Sequence, residues 1–163
     1  MILTAHAHAF TVTIIWTGNT GLGTQSYRSY KRHHDITTLG KPIIPASSDP
    51  AFRGDPARYN PEELVVAALS SCHMLWLLHL AWVASLVVVS YQDIAEGVMN
   101  EQPDDGGAFT EVVLCPEIVF APDTNLAQAE ALRAQAHAKC FIANSVSFPI
   151  RHEPLHRHDK AAA

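Results

Sequence analysis

The sequence predicts an α+β protein, and three observations carry that prediction. Runs rich in β-branched and aromatic residues, bounded by Gly, Pro and Asn clusters, lie on both sides of one long apolar stretch. That stretch opens on Asn60-Pro61-Glu62-Glu63, the sharpest helix start in the chain. A second, Ala-rich segment between Leu126 and Ala138 has helical composition. The order is therefore strands, helix, strands, helix, strand, with no internal repeat. The 163 residues are read as a single domain over 1–153, large enough to bury a core, followed by a disordered tail over 154–163.

The elements follow in order. His8 to Trp16 alternates Thr, Val, Ile and Phe and reads as a strand. Thr17 to Thr24 is a Gly-rich turn, and Ser26 to Ile36 reads as the returning strand of a hairpin. Gly40 to Tyr59 is a long loop, and loops of that length are often functional. Asn60 suits an N-cap, Pro61 the first helical position and Glu63 the capping-box position, so a helix runs from Asn60 to about Trp82. Its apolar residues leave no polar face, so it must be covered all round, by sheet or by a copy of itself. Ser85 to Met99 reads as a strand, Gln102 to Gly107 as a turn and Ala108 to Phe120 as another strand, with Pro116 marking an edge or a bend. Ser145 to His152 is a last short strand.

Composition removes several classes of function. The net charge is −5 and no basic run exists, which argues against a nucleic-acid partner. Three cysteines without a dense pattern point to a reducing cytoplasm rather than a disulfide scaffold. The first eight residues lack the basic start and apolar run of a signal peptide. Leu64 to Tyr91 carries no Asp, Glu, Lys or Arg, which invites a membrane-span reading. Ser70, Ser71, His73, His79 and Ser85 interrupt it, acidic residues flank both ends, and its last third is β-branched. A helix followed by a strand is not a membrane span.

The chemistry rests on two cysteines. Cys72 sits near the middle of the charge-free helix and Cys140 just after the Ala-rich one. Either could be an inert buried thiol, since free cysteine packs as a small hydrophobe. Cys115, in the strand before Pro116, is read as structural. Glu62 alone would be a first-turn carboxylate favoured by the helix dipole. Ten residues separate it from Cys72, or ~15 Å along a helix, so the two cannot meet within one subunit. The ten histidines are scattered. His137 and Cys140 could supply two metal ligands, but the other pair is missing, and no metal or cofactor is expected. His73 points about 100° away from Cys72 on a helix and is not an obvious base.

Asn60 to His73 and His137 to Asn144 together resemble the osmotically inducible protein C / organic hydroperoxide resistance (OsmC/Ohr) family. There an Asn-Pro-Glu opens the helix that carries a peroxide-attacking cysteine. The resemblance implies antiparallel sheets wrapped around a central apolar helix, in an intertwined homodimer. It implies Cys72 as the peroxidatic thiol, Cys140 as the resolving thiol and Glu62 as the holder of an activating arginine. A thiolate nucleophile needs a cation nearby. Arg28, Arg32, Arg53 and Arg58 are upstream; Arg28, on the expected early strand, is preferred, with Arg53 the alternative. The implied activity is reduction of organic hydroperoxides, with the disulfide reopened by a dithiol, possibly of lipoyl type. A different class of reading is a weakly catalytic or non-catalytic relative that binds a hydrophobic or thiol ligand.

Overall fold

The computed structural model describes residues 7–103 and 106–159. The first six residues, where the absence of a signal peptide was read, and the last four of the expected tail lie outside them. The chain forms two compact units, with the boundary between Glu62 and Glu63.

The first unit holds an antiparallel sheet in the order β1-β2-β3: β1 is Thr13–Trp16, β2 His34–Thr37 and β3 Ile44–Ala46. Register sets Ile14 opposite Ile36 and Ile36 opposite Ile44, an isoleucine row across the three strands. The returning strand, expected from Ser26, begins only at His34. Side chains between them capture the backbone instead. The Asn19 carboxamide oxygen accepts the amides of Gly21 and Gly23, and Ser29 Oγ donates to the carbonyls of Gly23 and Ser26. Arg28 therefore lies in a turn, not on a strand. The long loop is partly structured: it contains β3 and a 3₁₀ turn at Pro50–Phe52, capped by the Asp49 carboxylate. Arg53 closes that turn with φ 65°, and Gly54 follows where a Cβ would stand 1.5 Å from the Ser48 carbonyl oxygen.

The second unit begins in the first turn of α1, which runs Pro61–Val83. The strand expected over 85–99 divides into β4 (Val88–Asp93) and β5 (Glu96–Glu101). The one over 108–120 divides at Cys115 into β6 (Gly107–Leu114) and β7 (Pro116–Phe120). After α2 (Leu126–Lys139) come β8 (Ile150–His152) and β9 (Leu155–His158). They make two three-stranded sheets, β5-β6-β8 and β4-β7-β9. All three strand pairs break at the same level, so the ladder turns a corner. Pro116 cannot donate there. Asp93 pins the corner: its Oδ1 accepts the Cys115 amide at 2.7 Å and its Oδ2 accepts Ser70 Oγ of α1 at 2.5 Å.

Two expectations need correction. The two sheets of the second unit are mixed rather than wholly antiparallel, because β6–β8 and β7–β9 pair parallel. The tail expected to be disordered from Pro154 contains β9, whose register with β7 runs from Glu117↔Leu155 to Phe120↔His158, beside an Arg157–Glu117 ion pair. Leu155-His156-Arg157-His158 reads as polar tail because only one face of this outer strand is covered.

α1 organises both cores. Leu69 packs with Val112 and Leu114; Leu77, Leu80 and Ala81 pack with Ile118, Phe120 and the α2 residues Ala129, Leu132 and Ala136. Among the described helices it alone has the length and apolarity of a membrane span. On its other face Leu75, Trp82 and Val83 are 61%, 73% and 61% exposed among the described residues. The all-round apolar composition thus reflects an inner stripe buried here and an outer stripe left open.

Candidate active site

The second unit brings the two motif cysteines together. Cys72 is half-buried on α1, and Cys140 is buried at the end of α2. α2 starts on Asn125, whose side-chain oxygen accepts the amides of Ala127 and Gln128. It ends at Cys140, whose amide donates to the His137 carbonyl at 3.2 Å before the backbone turns extended. The following 3₁₀ turn, Ala143–Ser145, fixes the thiol, because the Ala143 amide donates to Cys140 Sγ at 3.4 Å. The Cys72 thiol is a side-chain neighbour of Cys140 and disfavours its ionisation. Burial first, and then the neighbouring Cys72 thiol, pushes the Cys140 thiol up to about 11. The third thiol, Cys115, is at the sheet corner; burial, with Glu153, Asp93 and Glu96 around it, holds it in the neutral form.

Glu62 and Cys72 lie on the same continuous helix. Ten residues at the helical rise keep them ~15 Å apart, so α1 does not bring them together. Glu62 Oε2 is buried and has no hydrogen-bond partner among the described residues. A buried carboxylate oxygen left unpaired is costly and calls for an explanation.

Of the four upstream arginines, two are occupied. Arg32 is stacked between Tyr27 and Tyr30, 4.2 Å from each ring centroid, and donates to both their carbonyls. Arg58 is ion-paired with Asp35 and Asp55 at 3.8 Å. Arg53 only overlies Tyr27 at 5.7 Å, and Arg28 is exposed with no partner among the described residues.

Leu75, Trp76 and His79 follow Cys72 at helical spacing and border an open pocket of about 310 Å³. Phe141, next to Cys140, sets its ring edge-on to Trp76 at 5.8 Å, and Lys139 Nζ stands 5.6 Å from the Trp76 ring. The surface beside the two thiols is therefore aromatic and apolar, with one ammonium at its rim.

Sequence reasoning missed one feature. His73 of α1, His152 of β8 and His137 of α2 converge: the His73 and His152 ring centroids are 4.5 Å apart, and those of His137 and His152 are 4.8 Å apart. All three line one small cavity with Cys140, Leu69 and Leu114. His73 is 1% exposed; both its ring nitrogens, and Nε2 of His152, are buried without hydrogen-bond partners among the described residues. Burial, followed by the neighbouring histidines and Arg133, pushes His73 down to about 4 and His152 down to about 3, so both are neutral. No group of three ligand-type side chains is arranged to hold a metal ion among the described residues. The cluster draws on three elements far apart in the chain, so no local spacing announces it. The one clue was the His137-x-x-Cys140 pair.

Comparison with known proteins places this geometry. Residues 54–154 match the family described as OsmC-like protein. An OsmC-like protein of unknown function from Vibrio cholerae is 34% identical, with TM-score 0.82, covering 91% of this chain and 100% of its own. The chain belongs to the OsmC-like family. Two more distant structures share the fold: an organic hydroperoxide resistance protein from Elizabethkingia anophelis and one from Legionella pneumophila. The first is 18% identical, with TM-score 0.65, covering 94% of this chain and 100% of its own. The second is 20% identical, with TM-score 0.66, covering 93% and 98%. No curated protein matches the chain by sequence.

Proposed function

We propose that this protein is a cysteine-based peroxidase that reduces organic hydroperoxides in a reducing cytoplasm. The observation that supports it best is the juxtaposition of the Cys72 and Cys140 thiols, beside an aromatic, apolar surface. In this reading the Cys72 thiolate attacks the distal peroxide oxygen, the O–O bond breaks, and the alkoxide leaves as an alcohol after taking a proton. Cys72 is then a sulfenic acid. Cys140 attacks its sulfur, water leaves, and a Cys72–Cys140 disulfide remains. A dithiol, of lipoyl type by family resemblance, reopens it by exchange. Arg28, or else Arg53, supplies the cation that favours the thiolate. Glu62 holds that arginine from the second subunit of an intertwined homodimer, which would also cover the open face of α1. The buried, unpartnered Glu62 oxygen supports this role.

One equivalent of an organic hydroperoxide should convert Cys72 and Cys140 to an intramolecular disulfide and leave Cys115 reduced. Peptide mapping of the oxidised chain checks this. Cys115 in the bridge would remove the assignment. Both motif thiols left untouched would leave the pocket at Leu75, Trp76 and His79 to a hydrophobic-ligand-binding role without turnover.

A further inference from the structure

Closing the disulfide demands something of Cys140 that its surroundings oppose. The thiol is buried, and its neutral form is favoured by burial and by the adjacent Cys72 thiol. Only the thiolate is an effective nucleophile, so a base must take the proton as the S–S bond forms. The titratable side chains that share the cavity with Cys140 are His73, His137 and His152.

Their arrangement is graded. His73 is sealed inside, His152 lies between the other two rings, and His137 is half-buried on the last turn of α2, three residues before Cys140. His73 and His152 hold no proton charge of their own near neutrality. Their neutral rings pack beside His137, which, like His152, is half-buried.

We propose that His137, held in place by His152 and His73, is the general base that takes the Cys140 proton when Cys140 attacks oxidised Cys72. The inference rests on the peroxidase reading only for the origin of that oxidised state. In the step, the Cys140 S–H proton passes to a ring nitrogen of His137 and the Cys140 sulfur bonds to the Cys72 sulfur. The Cys72 S–O bond breaks, and hydroxide leaves as water with that proton. Cys140 sulfur is oxidised as Cys72 sulfur is reduced, so no further oxidant is required. His137 is the catalytic residue; His152 and His73 are positioning residues. The charged and titratable groups around His137 are His152 from β8, His73 from α1, and Arg133 and Cys140 from its own helix and helix end.

The test can bypass peroxide altogether. In a Cys115→Ser background, an aryl disulfide reagent such as dithiobis(nitrobenzoate) loads Cys72 as a mixed disulfide. Attack by Cys140 then expels a second, coloured aryl thiolate, and its release rate reports the Cys140 step alone. For the otherwise wild-type chain the rate should rise with pH and then level off, as expected when a base other than the thiol itself carries the proton. In His137→Gln it should fall about a hundredfold near neutral pH. The plateau should be replaced by a tenfold rise per pH unit, and added imidazole should restore part of the rate. In His152→Gln the pH at which the rate levels off should move. A rate that climbs tenfold per pH unit without a plateau before any histidine is changed overturns the proposal, even if the variants fail to fold. So does an unchanged rate and profile in folded His137→Gln, or stoichiometric zinc in the purified protein that His137→Gln loses. A parallel treatment with cumene hydroperoxide separates the two readings: if the aryl experiment behaves as expected but peroxide leaves Cys72 untouched, the peroxidase reading fails and the His137 assignment stands.

Discussion

Mixing two inactive variants, Glu62→Ala and Cys72→Ser, should restore about a quarter of wild-type peroxidase activity. Each variant alone should be inactive, the first without the residue that orients the cation, the second without the nucleophile. On one α1 the two positions are ~15 Å apart, and Glu62 Oε2 is buried without a partner. A site needing both must draw them from two chains. After complete exchange about half of the dimers are mixed, and each mixed dimer has one intact site of two. Peroxide consumption, with mass spectrometry to count mixed dimers, is the measurement. No recovery in the presence of mixed dimers would take Glu62 out of a shared site. A compact 17.8 kDa species by sedimentation would remove the dimer altogether.

Acid should weaken the fold through the histidine cluster, by several kcal/mol between neutral pH and about pH 4. The sign follows from neutrality. His73 and His152 titrate near 6.5 when unfolded but are pushed down to about 4 and about 3 when folded. Between those limits the unfolded chain binds protons that the folded chain refuses. The full stability is therefore present above pH 6.5 and is lost as pH falls toward 4. Each such proton contributes at most ~1.4 kcal/mol per pH unit, so the pair gives a steep decline. Asp55, held low chiefly by the Ala57 amide, acts only below that window, as its ordinary value is 3.8. Urea midpoints at several pH values would show the trend, and His152→Gln should make it shallower. Equal stability at pH 7 and pH 5 would mean that the cluster opens and takes up protons without unfolding.

What the sequence made legible follows from how local each signal is. The start of α1 was readable because Asn60, Pro61 and Glu63 act on the helix within one turn. The break of one long strand into β6 and β7 was half readable, since Pro116 signalled a bend but the partner of the Cys115 amide, Asp93, is distant in sequence. The strand β9 was missed because its partner β7 lies far upstream, and pairing rather than composition makes it a strand. The meeting of Cys72 with Cys140 was implied by resemblance alone; the fold supplies the contact. The cluster of His73, His137 and His152 was invisible, because neighbouring positions in space come from α1, α2 and β8. The placement of Arg28 on a strand failed because Asn19 and Ser29 side chains outcompete sheet pairing there.

The sheet corner also bears on how the chain is made. β6 and β7 are central strands, yet their second neighbours, β8 and β9, are parallel partners supplied only by residues 150–158. During synthesis the hairpin strands β4 to β7 emerge well before those residues. For that interval β6 and β7 present open edges, and β7 is apolar over Ile118, Val119 and Phe120. Parallel pairing across the intervening α2 is slow to form. The nascent chain is thus most exposed to edge-to-edge association just before β8 and β9 leave the ribosome, and a chain cut short upstream of Ile150 would keep one open edge on each of β6 and β7.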